Sequence, residues 1–175
     1  MGSIALIGFM GSGKSSVGKE LAKLLPGLEL IDLDSYIEAM TGKTVPEIFS
    51  EQGEAGFRQL EKQALGDIFM TNELTGSDSI LALGGGTVTT EACRRMLRRK
   101  CRCIYLRGRK ETLVANLKES PGNRPLLQTG KDLSARVAEL MAERAPIYES
   151  TAHHIVDIDG KSFTELAVDI LMLLD

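Results

Sequence analysis

The chain has few of the features that mark membrane, disulfide-linked or nucleic-acid-binding proteins. Its 175 residues include no tryptophan, three cysteines and no apolar run long enough to cross a bilayer. The formal net charge of −3 argues against a nucleic-acid or anionic-membrane binder, since such proteins usually present a basic surface. The chain does not open on a basic segment followed by an apolar one. We therefore expect a cytoplasmic protein that binds neither membranes nor nucleic acid.

Three groups of residues that can suggest ligand binding have simpler structural explanations. The number of cysteines is odd, and Cys101 and Cys103 are separated by one residue, so we expect buried structural thiols. The basic stretch 94–102 has no interleaved aromatic residues, which is typical of a solvated helix face. His153 and His154 lack neighbours spaced as metal ligands, and we expect them to be surface residues.

Residues 8–15 carry the strongest functional signal in the chain. Their sequence, Gly-Phe-Met-Gly-Ser-Gly-Lys-Ser, matches the phosphate-binding pattern G-x-x-x-x-G-K-[ST]. The apolar run 4–7 precedes the loop and a helical pattern follows it, so the loop joins a predicted strand to a predicted helix. Its backbone N–H groups and the helix N-terminus predict a nucleoside triphosphate site. Lys14 suits the β- and γ-phosphates, and the Ser15 hydroxyl suits Mg²⁺.

Short apolar runs alternate with longer helical patterns, which predicts an α/β domain with a parallel sheet. Thr44 and Ser162 each precede an S/T-x-x-E pattern, which predicts capping boxes. No linker divides the chain, so we expect a single domain over residues 1–175. The predicted strands cover residues 4–7, 28–33, 79–83, 103–106 and 154–156. The predicted helices cover residues 14–25, 34–40, 45–51, 54–72, 90–99, 111–117, 133–147 and 163–174.

Two acidic residues follow one another closely at the end of the predicted second strand. Asp32 and Asp34 are two positions apart, so on a strand both carboxylates point to the same side. The carboxyl end of a parallel strand is where an open α/β sheet binds its ligands, and a Mg²⁺–phosphate centre needs carboxylates there. In the alternative interpretation, Asp34 only caps the following helix and Asp32 is solvated.

Four further patterns have both a functional and a structural interpretation. Arg58 and Glu61 share a helix face, a spacing that is common in surface ion pairs. Glycines 84–86 allow the backbone to approach a ligand closely, or they form a tight turn. Arg144 suits a ligand carboxylate, or it is solvated near a helix end. Residues 119–132 are interrupted by proline and glycine, which favours a lid over a disordered surface loop.

Taken together, these motifs resemble the shikimate kinase family over almost the whole chain. The resemblance implies a three-layer P-loop kinase fold with a central five-stranded parallel sheet in the order 2-3-1-4-5, helices on both faces and a mobile lid at about 119–132. It implies Mg²⁺-dependent transfer of the ATP γ-phosphoryl group to the 3-hydroxyl of shikimate, in aromatic amino-acid biosynthesis. The matching segments, in the order the family has them, are residues 8–15, 32–34, 57–61, 84–86, 124–127 and 144–148.

The resemblance also implies a role for each matched residue. The substrate-binding helical region would span about 34–61, with an apolar wall formed by Val45, Phe49 and Phe57. The catalytic residues would be Lys14, Asp34 and Arg124, with Ser15 and Asp32 at the metal. Shikimate would be bound by Asp34, Arg58, Gly85 and Arg144. ATP would be bound by Gly11, Ser12, Gly13, Lys14, Ser15, Ser16, Arg124 and Lys161, with Lys118 as a second candidate beside adenine.

Two other functions remain as alternatives. Gluconate kinase or another small-molecule P-loop kinase uses similar chemistry, but the joint presence of Asp34, Arg58 and glycines 84–86 favours shikimate. A nucleotide-binding module without turnover is disfavoured because Lys14, Asp34 and Arg124 are all present. We expect a monomer, and we expect Lys14 to face solvent when no nucleotide is bound.

Overall fold

A five-stranded parallel sheet forms the centre of the protein. The computed structural model describes residues 2–119, 127 and 132–175. The strands lie in the order β2-β3-β1-β4-β5, and each neighbouring pair is parallel. This order confirms the predicted topology. The strands are β1 (Ser3–Ile7), β2 (Glu29–Asp32), β3 (Ser79–Ala82), β4 (Cys101–Arg107) and β5 (His154–Asp157).

Helices pack around this sheet and join its strands. Every residue of β1 is buried, as expected for the central strand of a sheet that is covered by helices. No helix of the described ranges is long and apolar enough to cross a membrane. The helices are α1 (Lys14–Leu24), α2 (Leu33–Thr41), α3 (Val45–Thr75), α4 (Glu91–Lys100), α5 (Lys110–Glu119), α6 (Leu133–Thr151) and α7 (Phe163–Leu174), with a 3₁₀ turn at Thr87–Thr89.

Three differences from the predicted elements affect the candidate site or the helix that leads to it. The second strand ends at Asp32, so Asp34 lies in the first turn of α2 and not on a strand. The predicted helices 45–51 and 54–72 are joined in α3, but Gly53 adopts φ 70° and ψ −176° between them. That left-handed φ suits glycine and interrupts the helix where the break was predicted. The 3₁₀ turn at Thr87–Thr89 was not predicted.

Most of the residues interpreted as structural have structural partners. All three cysteines are free and buried, and burial raises the pKa of the Cys93 thiol to about 11. Arg94 and Arg98 donate hydrogen bonds to the backbone carbonyls of Val88 and Thr151. Nδ1 of His153 accepts the backbone N–H of Cys103. Arg98 thus bonds to the last residue of α6, and His153 bonds to β4.

Both predicted capping boxes are present. The Thr44 hydroxyl accepts the Glu47 N–H at the start of α3, and the Ser162 hydroxyl accepts the Glu165 N–H at the start of α7. The Glu165 carboxylate accepts the Ser162 N–H in return. Each box satisfies backbone donors that have no partner inside the helix.

Loss of one of these caps should destabilise the protein measurably. Ser162→Ala removes the acceptor for the first turn of α7, so we expect the free energy of unfolding to fall by about 1 kcal/mol. Ser162→Thr keeps the hydroxyl and should stay close to the wild type. Urea unfolding measures both, and equal stability of Ser162→Ala and the wild type would contradict this role of the cap.

Candidate active site

The phosphate loop has the backbone conformation that its glycines predict. It runs from β1 to α1, and both Gly11 and Gly13 have positive φ angles, 79° and 89°. Gly13 is the N-cap of α1, so the loop leads directly into a helix N-terminus. Glycine adopts such angles without steric cost, and the turn directs backbone N–H groups toward an anion.

A cavity of about 350 Å³ opens beside this loop. It brings together three predicted parts of the site from distant positions in the chain. These are the phosphate loop, the acidic pair at the start of α2 and the glycines after β3, together with Asn116 and Phe163, which were not predicted. The lining residues are Met10, Gly11, Gly13, Lys14, Ser15, Ser16, Asp32, Asp34, Leu83, Gly84, Gly85, Asn116, Glu119 and Phe163.

The ammonium group of Lys14 turns back onto its own loop. Nζ donates to the carbonyl oxygens of Gly8 at 2.7 Å and Phe9 at 2.9 Å, and only 9% of the residue is exposed. The expectation that Lys14 faces solvent is therefore wrong. An ammonium group taken out of water needs acceptors for its three hydrogens, and the loop carbonyls supply two of them.

Ser15 and Asp32 place a hydroxyl and a carboxylate side by side, at the positions predicted for the metal site. The Ser15 hydroxyl donates to Asp32 Oδ2 at 2.5 Å, at the edge of the cavity. The other carboxylate oxygen of Asp32 accepts the Ser35 N–H, so Asp32 is the N-cap of α2. The alternative in which Asp34 is the cap is thus wrong. One hydroxyl and one carboxylate suit Mg²⁺, which usually takes few protein ligands and completes its shell with water and phosphate oxygens.

Asp34 occupies a different environment, although it is only two residues from Asp32. Its Oδ1 is buried and has no hydrogen-bond partner among the described residues. Burial, followed by the negative charges of Glu61 and Asp32, raises the pKa of the Asp34 carboxyl to about 6. Such a carboxylate is a ready acceptor for a hydroxyl group in the cavity.

Arg58 and Glu61 form a buried ion pair, not a surface one. Arg58 Nη1 donates to Glu61 Oε1 at 2.5 Å, and the Glu61 side chain is fully buried. A β-carbon on Gly86 would lie 2.1 Å from Arg58 Nη2, so only glycine lets the guanidinium lie against this turn. Arg58 Nε is buried and has no partner in the described part of the chain.

Arg144 is buried as well, so the alternative of a solvated arginine is wrong. It projects from α6, is 4% exposed, and has no partner for Nη1 among residues 2–119, 127 and 132–175. A β-carbon on Gly85 would lie 3.4 Å from that nitrogen. One turn further along α6, the Tyr148 hydroxyl donates to the Gly85 carbonyl oxygen and ties the helix to the glycine turn.

Each of the three glycines therefore allows one charged side chain to lie against the backbone of the turn. A β-carbon on Gly84 would lie 3.2 Å from Asp34 Oδ1, and Gly85 and Gly86 stand in the same relation to Arg144 and Arg58. The buried side-chain polar atoms that lack a partner in the described ranges are Asp34 Oδ1, Arg58 Nε and Arg144 Nη1. Because unpaired buried polar atoms are rare and costly, these three indicate a polar ligand at the turn.

Predicted site residues that do not line this cavity include Lys161, Phe49 and Phe57. Arg124 lies outside the described residues. Lys161 is half-exposed and paired with Asp169 at 2.5 Å, and it does not line the cavity. The rings of Phe49 and Phe57, which lie on either side of Gly53 in α3, pack with their centroids 4.9 Å apart.

Sequence reasoning missed one contact to the phosphate loop. Asn116 on α5 donates from Nδ2 to the Gly11 carbonyl oxygen at 2.8 Å. No motif of the sequence pointed to this residue, because the contact depends on how α5 packs beside the loop.

The strand order, the phosphate loop and the adjacent Ser–Asp pair define a P-loop phosphotransferase. A family model described as shikimate kinase matches residues 10–175. A shikimate kinase of Dictyoglomus turgidum is 39% identical over 171 residues, which is 97% of this chain and 95% of that protein. A shikimate kinase of Halorhodospira halophila is 45% identical over 90% of this chain and 84% of that protein.

A solved structure gives the same result. The shikimate kinase of Acinetobacter baumannii in complex with shikimate superposes with a TM-score of 0.88 at 36% identity, covering 99% of this chain and 93% of that one. The chain belongs to the shikimate kinase family. It is an ATP-dependent kinase, and enzymes of this family use ATP as co-substrate with Mg²⁺.

The buried carboxyl of Asp34 should reduce stability at neutral pH. Its pKa of about 6 lies above the ordinary 3.8, so the folded protein holds this proton more tightly than the unfolded chain. Stability should then fall as pH rises from about 4 to above 6, by up to about 3 kcal/mol. Asp34→Asn removes the charge and should be more stable than the wild type at about pH 8, with little difference at about pH 4.

Urea unfolding at both pH values measures this difference. Asp67→Asn is the matched control because Asp67 is an exposed aspartate on α3. Its stability should follow that of the wild type at both pH values. An Asp34→Asn protein that is less stable than the wild type at about pH 8 would contradict the assigned cost of the buried charge.

Proposed function

We propose that this protein transfers the γ-phosphoryl group of ATP to the 3-hydroxyl group of shikimate, giving shikimate 3-phosphate and ADP. The observation that carries the proposal is the set of three unpaired buried atoms around glycines 84–86. Two are arginine nitrogens and one is a carboxylate oxygen. A small anion rich in hydroxyl groups matches this set, because its carboxylate pairs with arginine and its hydroxyls donate to the aspartate.

The two arginines would bind the substrate carboxylate. Arg144 Nη1 and Arg58 Nε both lack partners in the described part of the chain, and both are removed from water. A guanidinium offers donors in a planar fork that matches a carboxylate. Gly85 would add its backbone N–H, which no side chain obstructs. The apolar wall would come from Val45, Phe49 and Phe57.

Asp34 would orient the attacking hydroxyl group. With a pKa of about 6, the carboxyl group is largely ionised near neutral pH and can accept a hydrogen bond from the substrate. Phosphoryl transfer needs little covalent help, so the value of this contact is positioning, with proton acceptance late in a loose transition state.

The phosphate groups would lie in the loop between β1 and α1. Lys14 would exchange its contacts with the Gly8 and Phe9 carbonyls for contacts with phosphate oxygens. Ser15 and Asp32 would hold Mg²⁺, which supplies charge neutralisation at the phosphates. Gly11 to Ser16 would donate backbone N–H groups. Exclusion of water from the γ-phosphate by a lid over 119–132 would limit unproductive ATP hydrolysis.

The family resemblance supplies the lid and the adenine contacts. A lid over 119–132 would bring Arg124 to the phosphates, and Lys161 or Lys118 would contact adenine. We propose that the protein acts as a monomer. Three free buried thiols agree with a reducing, cytoplasmic compartment.

The direct test is the release of ADP in a coupled assay with shikimate, gluconate, AMP or water as the acceptor. Shikimate should give turnover far above the rate with water, and gluconate and AMP should not. Phosphorylation of gluconate or AMP in preference to shikimate would disprove the proposed substrate. Equal slow ADP release with every acceptor would show that the protein is only an ATPase.

Arg144→Lys should weaken shikimate binding specifically. Lysine keeps the charge but loses the fork, so we expect the KM for shikimate to rise by about tenfold or more while the KM for ATP changes little. Arg95→Lys is the control, because Arg95 is exposed on α4 and pairs only with Glu91 among the described residues. Equal weakening of both substrates in Arg144→Lys would indicate a general distortion instead.

Lys14→Ala should lower kcat by about a hundredfold to a thousandfold, because the developing charge on the γ-phosphate loses its cation. Lys19→Ala, an exposed lysine on α1, is the matched control and should retain normal turnover. Circular dichroism establishes that both variants are folded, which matters because Lys14 also bonds to two loop carbonyls. A folded Lys14→Ala protein with normal kcat would remove the phosphate-loop assignment.

A further inference from the structure

Glu61 is a fully buried carboxylate with both oxygens engaged. Oε1 accepts from Arg58 Nη1 at 2.5 Å, and Oε2 accepts from the Thr87 hydroxyl. The exposed fraction of both Glu61 and Thr87 is 0%. A carboxylate removed from water in this way is stable only while donors satisfy its oxygens.

Thr87 is placed by the glycine turn. It begins the 3₁₀ turn Thr87–Thr89, and its N–H donates to the Gly84 carbonyl oxygen at 3.3 Å. A β-carbon on Gly84 would lie 3.3 Å from both Glu61 Oε2 and the Thr87 hydroxyl oxygen. The Thr87 hydroxyl has a single hydrogen, and it donates that hydrogen to Glu61. This bond therefore ties the turn after β3 to the middle of α3.

Glu61 in turn is the buried anchor of Arg58. The other carboxylate near this guanidinium is Glu54, at 3.2 Å from Nη2, and half of the Glu54 side chain is exposed. An exposed partner holds a charge weakly, whereas a buried one fixes it. The position of Arg58 against Gly86 therefore depends on the orientation of the Glu61 carboxylate.

We propose that Thr87 is a positioning residue for substrate binding: its hydroxyl fixes the Glu61 carboxylate, which holds Arg58 in place for the substrate carboxylate. This inference rests on the proposed role of Arg58 in binding shikimate. Thr87 itself need not touch the substrate. Its effect passes through two side chains, so it should alter the affinity for shikimate more than the rate of the chemical step.

Thr87→Val tests the proposal, because valine keeps the branched shape and removes the hydroxyl. Glu61 Oε2 then lacks its donor, so the carboxylate must rotate and the position of Arg58 changes with it. We expect the KM for shikimate to rise by about tenfold or more, with the KM for ATP within about twofold of the wild type and kcat within about threefold. Thr87→Ser restores the donor and should bring the KM for shikimate back to within about twofold of the wild type.

The neighbouring threonine supplies a matched control. Thr89 lies in the same 3₁₀ turn, but its hydroxyl donates to the Gly86 carbonyl oxygen at 2.6 Å and not to Glu61. Thr89→Val should leave the KM for shikimate near the wild-type value. If it raised this KM as much as Thr87→Val does, loosening of the turn would explain the effect and the proposal would be wrong.

Two further outcomes are decisive. An unchanged KM for shikimate in folded Thr87→Val would overturn the positioning role, and so would a failure of Thr87→Ser to restore it. If Thr87→Val does not fold, Thr87→Ala removes the same hydroxyl without directing a methyl group at Glu61, and the same expectations apply to it. A wild-type protein that gives no shikimate-dependent ADP release contradicts the proposed function instead, which separates the two failures.

Discussion

The close approach of charged side chains to one turn of backbone is the constraint on which the site depends. β-Carbons on Gly84, Gly85 and Gly86 would lie 3.2, 3.4 and 2.1 Å from side-chain atoms of Asp34, Arg144 and Arg58. Any side chain at Gly86 would displace the Arg58 guanidinium outright. Side chains from α2, α3 and α6 therefore lie close together around this turn, although they are far apart in the chain. The parallel sheet makes this possible by ending β3 beside the phosphate loop.

Much of the fold could be predicted from the sequence because its signals are local. The strand-loop-helix pattern around the phosphate loop and the two capping boxes depend on residues within one or two turns of each other. The strand order was predicted from the family resemblance, because local sequence patterns do not show which strands are neighbours in a sheet. The strand β2 ends one residue earlier than predicted, and the expectation that Asp32 and Asp34 share a strand face was wrong because Asp34 lies in α2. The Asp32 side chain accepts the Ser35 N–H, which starts α2 earlier than hydrophobic periodicity suggests.

Burial was the part of the site that the sequence could not reveal. The spacing of Arg58 and Glu61 is the same in a surface ion pair and in a buried one. Arg144 was predicted near the end of its helix, where solvated arginines are common, but α6 continues to Thr151 and Arg144 is buried. Whether these side chains are buried or exposed depends on what packs against them, and here it is the turn formed by glycines 84–86. The burial of Lys14 could not be predicted either, because its contacts with loop carbonyls follow from the curvature of the loop and not from the sequence motif.

Asp32 and Asp34 show how one helix boundary separates two kinds of carboxylate. Asp32 lies at the cap, where Ser15 and the Ser35 N–H donate to its two oxygens. Asp34 lies just inside the helix, facing Gly84 and Glu61, and one of its oxygens has no donor among the described residues. The first environment stabilises an ionised carboxylate, as the proposed metal site requires. The second leaves one carboxylate oxygen without a donor, at a cost in stability that the hydroxyl group of the proposed substrate would offset. In the proposed function, the missing donor would make Asp34 a good acceptor for that hydroxyl group, and the same unpaired oxygen would limit the stability of the fold.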